Sequence, residues 1–421
     1  MRTTDIEKRI SEYKKTIYRA LRDKFLRISL TRTVDNYWKN WAEIIVNFPD
    51  LPKKAERLRK IKLETIRDLW YYVDKAQERL QQRGINTYSA RNAEEARTII
   101  GDLCKGKLVV KSKSLTTEEI KLNEYLEKLG AEVWETDLGE LIIQLAKSKP
   151  MHLVTPSIHI PKEKVAEIFS RIAGEELPLD PKVLVGFARR FLREKYFKAD
   201  VGITGANVVA ADTGSIFLVE NEGNIRFVSN APPIHIAVVG IEKIVPTFIN
   251  AALYVDVLAK YAGFLAPSYI SIISDVSKTG DIEKIRVEGA HGPREAHVIF
   301  LDNGRSKMLR DERFMEALLC MKCGACLYEC PVYQVVCGYF GDYYFGGIGA
   351  IWMSFIDSIE KTAPYIYTCM LCGKCREICP MKINTPEMIL TLREEAYRSG
   401  LIPRKFEDLK QKLIRDRNIY K

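Results

Sequence analysis

The chain has 421 residues, of which 47% are hydrophobic and 29% are charged, so two or three domains of about 100–200 residues each are expected. No uncharged run reaches the roughly 18 residues that a membrane-spanning helix needs, which argues against an integral membrane protein. The N-terminus is charged from its second residue and lacks the apolar stretch of a secretory signal peptide. We therefore expect a cytoplasmic protein, for which peripheral association with a membrane stays open.

The formal net charge of +10 lies almost entirely in the N-terminal segment. Residues 1–63 hold 17 Lys and Arg against 8 Asp and Glu, so 17 − 8 gives +9. No nucleic-acid recognition motif accompanies this charge, and we do not expect a nucleic-acid partner. Two interpretations remain, a solvated helical face with salt-bridged neighbours and a docking surface for an acidic partner protein.

The first predicted elements are helices. Apolar residues recur at three- and four-residue spacing from Asp5 to about Gln82, with a break at residues 47–52. This periodicity predicts a basic helical N-terminal segment over residues 1–85.

Short β-branched runs follow. They predict strands at residues 107–110, 132–134, 152–155 and 234–239, with helices between them at 117–129, 162–172 and 181–195. Thr117, followed by two glutamates, is predicted to cap its helix. Strands that alternate with helices are typical of an α/β domain with a largely parallel sheet, which we place at residues 86–305. A cysteine-rich helical domain at 306–400 and a polar tail at 401–421 complete the chain.

Nine of the ten cysteines fall between residues 320 and 379. Eight of them form two matching blocks, CMKCGACLYECP at 320–331 and CMLCGKCREICP at 369–380. Each block has the spacing C-x2-C-x2-C-x3-C-P, which is typical of bacterial ferredoxins with [4Fe-4S] clusters. Zinc is the alternative, but a zinc site usually takes two separated cysteine pairs and leaves the third cysteine of each triplet unexplained. The sequence therefore predicts two [4Fe-4S] clusters.

The same spacing predicts which cysteines share a cluster. In two-cluster ferredoxins, the fourth cysteine of a block binds the cluster of the other block. The predicted ligands of the first cluster are Cys320, Cys323, Cys326 and Cys379. The predicted ligands of the second cluster are Cys369, Cys372, Cys375 and Cys330.

Three other residues could be taken for ligands. Cys104 has no neighbour at a metal-binding spacing, and we expect it in a core. Cys337 is by default a packed structural thiol, although a reactive or cluster-proximal thiol remains an alternative. His235 lies on an apolar strand and is expected to be a hydrogen-bonded core residue.

Polar turns of the α/β domain predict an anion-binding crevice. The segment 111–114 (KSKS) follows a strand and precedes a helix, and three Gly-containing polar turns follow at 204–207, 212–215 and 221–224. In open α/β sheets, turns at strand ends form the ligand crevice, although such residues also dominate turns for backbone reasons alone. Lys113 and Glu222 are expected to contribute most. The candidate residues are Lys111, Lys113, Ser114, Asn207, Thr213, Ser215, Glu222 and Asn224.

Several stretches resemble a known family. CMKCGACLYECPVYQ at 320–334, GGIGA at 346–350 and TCMLCGKCREICPMKI at 368–383 are similar to the lactate utilization protein B family, the iron-sulfur subunit of an L-lactate oxidation complex. The similarity includes residues 109–146 and 199–246 upstream. It implies that the α/β domain has a fold like the ribose-phosphate isomerase and CoA-transferase group. It also implies a helical ferredoxin-like domain after it.

The chain departs from this family near the first cysteine block. Family members usually have glycines and a His where residues 336–339 read VCGY, and a YPGPIGA-like stretch where residues 344–350 read YFGGIGA. The role of Cys337 and the partner of this surface therefore stay open.

The resemblance implies a function. It predicts an electron-transfer subunit in a complex that oxidises L-lactate or a similar 2-hydroxy acid to the 2-oxo acid. The implied partners are a cysteine-rich-domain subunit and a second lactate-utilization-domain subunit or a flavin dehydrogenase. The sequence has no dinucleotide or P-loop fingerprint, so hydride transfer by a flavin or nicotinamide held on this chain has no support.

Three alternatives remain. In the first, the α/β domain is itself an enzyme that acts on a sugar phosphate or an acyl ester. In the second, the chain is an electron-transfer subunit of a heterodisulfide-reductase-like complex. In the third, the metal sites are a structural scaffold that only holds subunits together.

Overall fold

The computed structural model of the chain describes residues 2–418, with side chains from residue 6 onward. Met1 and residues 419–421 of the predicted tail lie outside the described residues. Within residues 2–418, no helix is long and apolar enough to cross a membrane.

Helices precede the first strand, as the periodicity predicts. They are α1 (Arg2–Arg22), α2 (Lys24–Asn47), α3 (Leu51–Arg67) and α4 (Leu69–Gln81). Asp23 caps α2, because its carboxylate accepts a hydrogen bond from the N–H of Leu26 at 2.9 Å. Pro52 lies in the first turn of α3, where a missing N–H costs no helix hydrogen bond. The predicted break is the connection between α2 and α3.

The central region is an α/β domain. Its strands are β1 (Asn86–Ala90), β2 (Leu108–Lys111), β3 (Glu132–Glu135), β4 (Val201–Thr204), β5 (Val208–Ala210), β6 (Ser215–Glu220), β7 (Ile234–Gly240), β8 (Ile244–Val245), β9 (Tyr269–Ile273), β10 (Lys278–Thr279), β11 (Val287–Glu288) and β12 (Glu295–Leu301). Its helices are α5 (Ala93–Cys104), α6 (Leu115–Glu118), α7 (Leu122–Lys128), α8 (Leu138–Ala146), α9 (Lys162–Ala173), α10 (Pro181–Lys198), α11 (Asn224–Asn230) and α12 (Phe248–Tyr261).

Among the described strands, six form one sheet in the order β1-β12-β7-β4-β2-β3. Every neighbouring pair in it is parallel. β2 and β4 are neighbours in this sheet. The next strand of the sheet after β2 is β3, on the far side of β2 from β4, and the next after β4 is β7, on the far side of β4 from β2, so the connections after β2 and β4 run in opposite directions. Such a divergence opens a crevice at the carboxyl edge of a parallel sheet.

The remaining described strands form smaller sheets. A mixed sheet has the order β8-β5-β6-β9, in which β6 is antiparallel to both of its neighbours. β10 and β11 form an antiparallel pair.

One predicted strand is wrong. Residues 152–155 form a turn, because Nδ1 of His152 accepts hydrogen bonds from the N–H groups of Val154 at 3.0 Å and Thr155 at 3.1 Å. The apolar pattern of this segment therefore reflects packing of a turn rather than sheet pairing.

The helix predicted at residues 117–129 is divided into α6 and α7. Lys121 lies between them with a left-handed φ of 49°, a conformation that ends a helix. Thr117 is not an N-cap but lies inside α6, where its hydroxyl donates to the carbonyl of Ser114 at 2.8 Å. The hydroxyl satisfies a local backbone acceptor in place of capping.

Helices dominate after the α/β domain. They are α13 (Arg305–Arg310), α14 (Ala325–Glu329), α15 (Tyr333–Val336), α16 (Gly346–Ile356), α17 (Ile359–Thr368), α18 (Lys374–Ile378), α19 (Thr385–Arg398) and α20 (Arg404–Asp416). One apolar cluster includes Leu58 of α3, Phe217 of β6 and Ile389 of α19. The N-terminal helices, the α/β domain and the cysteine-rich domain thus share a core.

A buried ion network also joins these parts. Arg305 is fully buried and donates to Glu119 at 2.7 Å and to Glu242. Lys322, inside the first cysteine block, donates to the other carboxylate oxygen of Glu242 at 3.0 Å. The hydroxyl of Tyr344 donates to Glu119 at 2.6 Å. Two buried carboxylates are thus matched by two cations, as burial of charge requires.

The cations of this network keep the buried carboxylate of Glu242 ionised. Burial alone would raise the pKa of Glu242, but the neighbouring Arg305 and Lys322 outweigh burial and hold that pKa well below its usual range. Trp352 covers the network, with its ring centroid 5.0 Å from the Arg305 guanidinium and 4.2 Å from the Lys322 ammonium. Lys62 of α3 donates to the backbone carbonyl of Glu242 at 3.2 Å.

Replacing Arg305 with Leu should lower the free energy of unfolding by about 3–5 kcal/mol, because the buried Glu119 carboxylate is left without a cation. Urea denaturation of the anaerobic protein, followed by circular dichroism, measures the loss. Arg313→Ala is the control, since Arg313 is half exposed in its pair with Asp311 and should matter by less than about 1 kcal/mol. Equal losses in both variants would contradict the role of the network.

Two glycines should respond oppositely to alanine. A Cβ on Gly202 of β4 would lie 1.8 Å from the carbonyl oxygen of Val228, so Gly202→Ala should destabilise by about 1–3 kcal/mol. Gly186 lies inside α10 with only the end of Arg190 nearby at 3.8 Å, and Gly186→Ala should stabilise by about 0.5–1 kcal/mol through helix propensity. Thermal melts of both variants test the two signs.

Candidate functional site

The two cysteine blocks fold in the same way. Lys322 and Leu371 have left-handed φ values of 60° and 57°, and Gly324 and Gly373 have φ values of 83° and 81° at the starts of α14 and α18. Left-handed backbone is uncommon for residues other than glycine. The repeated conformation turns each block into a loop that brings its cysteines to one side.

The blocks enclose two adjacent cavities. The first cysteine cavity is lined by Cys320, Cys323, Cys326, Cys375 and Cys379. The second cysteine cavity is lined by Cys326, Cys330, Cys369, Cys372 and Cys375. The fourth cysteine of each block thus lies at the cavity of the other block, and the third cysteine of each block lies at both.

The surroundings of these sulfurs fit an iron-sulfur cluster. Burial raises the pKa of the Cys375 thiol to about 12 and that of Cys379 to about 11, so bare thiolates there are costly and bound iron would stabilise them. Backbone N–H groups are directed at the sulfurs, from Lys322 to Cys320 and from Val332 to Cys330. Hydrogen bonds to sulfur are a feature of protein-bound clusters.

Single-ion chemistry fits less well. Within the described residues, no group of three or more His, Cys, Asp or Glu side chains is arranged to hold one metal ion. The cysteines instead surround cavities, as the larger [4Fe-4S] core needs.

The two cysteine cavities differ in their surroundings. Leu115 and Leu153 of the α/β domain line the first cavity, whereas the walls of the second come from residues 326–386 alone. Beside the second cavity, Cys372 is exposed and Met370 is 66% exposed. The first cavity therefore faces the α/β domain, and the second lies near the surface.

A third cavity, the interdomain cavity, lies between the α/β domain and the first cysteine block. It has a volume of ≈ 270 Å³, and its lining includes Met321, Lys322 and Cys323 of that block. Of the residues predicted to form an anion crevice, Lys113, Ser114 and Asn207 line it.

The other predicted crevice residues lie elsewhere. Lys111 is buried and pairs with Glu118 at 2.9 Å and Glu135 at 2.7 Å. Its charge is satisfied within the domain. The hydroxyls of Ser215 and Ser274 are hydrogen-bonded at 2.6 Å.

Three more predicted residues serve local structure. The hydroxyl of Thr213 accepts from the N–H of Ser215 at 3.4 Å. Glu222 accepts from the N–H of Leu138 at 3.2 Å, and Asn224 donates to the hydroxyl of Thr136 at 3.3 Å. These contacts connect turns, so the structure does not bring the predicted set into one site.

Sequence reasoning missed Lys243 and Lys322 in the lining of the interdomain cavity, and it named the turn 221–224 without selecting Asn221, which also lines the cavity. Lys243 lies just after the carboxyl end of β7. Because ligand crevices form at the carboxyl ends of parallel strands, this position after a predicted strand could have identified Lys243. Lys322 carried no such signal, since it resembles any loop lysine until the two domains are placed together.

The three residues set apart from the clusters are packed inside. Cys104 is fully buried in a core of the α/β domain. Cys337 is buried and its thiol donates to the carbonyl of Met151 at 3.0 Å. His235 is buried with Nε2 2.9 Å from the hydroxyl of Thr204, and burial lowers its pKa to about 4. Cys104, Cys337 and His235 are thus packed core residues, as the sequence analysis expects.

Comparisons with known proteins agree with the cysteine geometry. The LUD domain matches residues 73–301, and the 4Fe-4S dicluster domain matches residues 316–383. The dicluster match supports two [4Fe-4S] clusters in place of zinc.

Several curated relatives share one name. Lactate utilization protein B of Oceanobacillus iheyensis is 38% identical over 390 residues, which are 91% of this chain and 79% of that protein. The Bacillus subtilis protein of that name is 40% identical over 359 residues, 84% of this chain and 72% of that protein. A solved DUF162 family protein from Deinococcus radiodurans matches 55% of this chain and 98% of its own length, at 16% identity and a TM-score of 0.31. The chain belongs to the lactate utilization protein B family.

Proposed function

We propose that the chain is the iron-sulfur electron-transfer subunit of a multi-subunit system that oxidises L-lactate, or a similar 2-hydroxy acid, to the 2-oxo acid. The observation that carries the proposal is the pair of adjacent cysteine cavities, one facing the α/β domain and one near the surface. The names of the relatives supply lactate as the substrate. When bound, [4Fe-4S] clusters supply one-electron transfer.

The proposed ligands follow the crossed arrangement. Cys379 completes the first triplet and Cys330 completes the second, which agrees with the cavities that these two residues line. Cys326 and Cys375 line both cavities, so the two clusters would lie next to each other. A short separation favours electron exchange between them.

The proposed direction of electron flow follows from exposure. With clusters bound, the first set of cysteines would hold the acceptor beside the α/β domain, and the second set, near exposed Cys372 and Met370, would hold the donor to a partner. The partners that we propose are a cysteine-rich-domain subunit and a second lactate-utilization-domain subunit or a flavin dehydrogenase. The basic N-terminal helices are a second candidate docking surface.

A second candidate function rests on the interdomain cavity. Its place at the carboxyl ends of β2 and β4 is where enzymes with parallel sheets bind substrates. The α/β domain would then be an enzyme for a sugar phosphate or acyl ester, of the isomerase and CoA-transferase-like type. Turnover of such a substrate by the isolated chain would favour this function.

The isolated, anaerobically purified chain should contain about eight irons and take up about two electrons reversibly in a dithionite titration, one per cluster. It should not oxidise L-lactate with an artificial dye, and activity should return when partner subunits are added. Irreversible bleaching would support a structural role for the clusters. Robust lactate oxidation by the chain alone would contradict the division of labour.

Replacing Cys379 with Ala should remove the first cluster and leave the second, so iron should fall to about four per chain. Because Cys372 is exposed, alkylation followed by mass spectrometry reports on the second cluster. Cys372 should stay protected in Cys379→Ala. It should become alkylated in Cys330→Ala, which removes the second cluster.

Cys104→Ala is the matched control, since this thiol is buried far from both blocks in sequence and should leave the iron content unchanged. Alkylation of Cys372 in Cys379→Ala with half of the iron retained would mean that Cys379 serves its own block, and the crossed assignment would be abandoned.

A further inference from the structure

We propose that the interdomain cavity binds a small organic carboxylate of the 2-hydroxy-acid or 2-oxo-acid class, directly beside the first cysteine block. This inference rests on the proposed function for its redox context, but its evidence is the cavity itself. The cavity has ≈ 270 Å³ of space and is lined by loops of the α/β domain and by Met321, Lys322 and Cys323. That space lies just below the range of pockets for drug-sized ligands, which suits a molecule of a few carbon atoms.

The topology places the cavity where a parallel sheet binds ligands. Residues 112–114 follow β2, and residues 205–207 follow β4, and both loops line the cavity. These are the two neighbouring strands whose connections diverge. The crevice therefore results from strand order and does not depend on the cysteine-rich domain, which closes its open side.

The charge of the lining favours an anion. Lys113, Lys243 and Lys322 line the cavity, and no Asp or Glu is among its lining residues within the described part of the chain. Lys322 is already paired with Glu242, and Lys243 donates to the carbonyl of Ala206 at 2.6 Å, so Lys113 supplies most of the uncompensated positive charge. Lys113 has a carboxylate neighbour, Glu140, but the 3.7 Å separation of their charged atoms is too long for a hydrogen bond. Burial beside Lys322 lowers the pKa of Lys243 to about 7, so an anion that restores its full charge is favoured.

Hydrogen-bond donors without partners also favour an anionic ligand. Ser114 is 7% exposed, and its hydroxyl has no partner among the described residues. The ammonium of Lys113 is likewise buried without a hydrogen-bond partner in that set. The amide oxygen of Asn207 accepts from the N–H of Val219 at 2.9 Å, which leaves its NH₂ group to donate. Buried donors without partners are costly, and a ligand with acceptor oxygens satisfies them.

The rest of the lining selects an organic molecule over inorganic phosphate. Leu115, Leu153, Leu258 and Phe264 form apolar walls, and such walls favour a short carbon skeleton. A 2-hydroxy acid or 2-oxo acid presents a carboxylate and an adjacent oxygen at one end and carbon at the other. The cavity has the matching division into donors and apolar surface.

The test is equilibrium binding to the anaerobic full chain, measured by isothermal titration calorimetry. L-lactate and pyruvate should each bind saturably at one site, and inorganic phosphate and acetate should bind at least about tenfold more weakly, because they lack the second oxygen or the carbon skeleton. Binding of L-lactate should also change the electron paramagnetic resonance spectrum of the reduced protein, since Cys323 lines both this cavity and the first cysteine cavity.

Asn207→Asp is the decisive variant. The new carboxylate keeps the acceptor for the N–H of Val219, so folding is preserved, and its charge repels an anion. Lactate binding should weaken by at least about tenfold, and the spectral change should vanish. Lys243→Met should weaken binding as well, whereas Lys182→Met, at an exposed position at the start of α10, should not.

The outcomes separate this inference from the proposed function. Reversible reduction of the clusters with no saturable carboxylate binding would overturn the inference and leave the electron-transfer function intact. Tighter binding of phosphate than of lactate would overturn the carboxylate assignment. Unchanged lactate affinity in Asn207→Asp would overturn the location.

Discussion

Charge balance in a buried space is the constraint on which the arrangement of this molecule depends. Arg305, Glu119 and Glu242 have side chains with no exposure, and none of these charges is tolerable in the interior without the others. The network closes only when the end of α6, the turn after β7 and the start of α13 meet. The α/β domain therefore creates a buried negative charge that requires one more cation.

Lys322 supplies that cation from the first cysteine block. It lies between Cys320 and Cys323 in sequence, and its left-handed backbone belongs to the same loop that brings these cysteines together. The contact with Glu242 thus positions the cysteine loop relative to the sheet. Because Lys322 also lines the interdomain cavity, one loop connects the ion network, the first cysteine cavity and the candidate ligand site.

Local spacing explains why much of this could be predicted from sequence. The two cysteine blocks repeat over twelve residues each, so their chemistry and matching conformation are encoded within short segments. The helical N-terminal segment and the parallel α/β domain follow from periodicity in the same way. His152 shows the limit, because a side chain that accepts two nearby N–H groups turns an apparent strand into a turn.

Contacts between distant residues could not be predicted. Arg305 and Glu119 are separated by 186 positions, and no local pattern marks either as buried. The anion crevice was predicted from turn composition, but only Lys113, Ser114 and Asn207 of the eight candidates line the cavity. The residue composition identifies the turns correctly. It does not show which of these turns meet at the carboxyl ends of β2 and β4, because their meeting depends on the order of the strands in the sheet.

The mixed origin of the cavity walls has a consequence for biosynthesis. Each cysteine cavity includes residues from both blocks, and Cys375 and Cys379 are needed for the first cavity as much as Cys320. During translation, a nascent chain that has exposed only the first block has neither cavity complete. Cluster insertion must therefore wait until both cysteine blocks have left the ribosome, so the first block stays without its cluster while the second is still being synthesised.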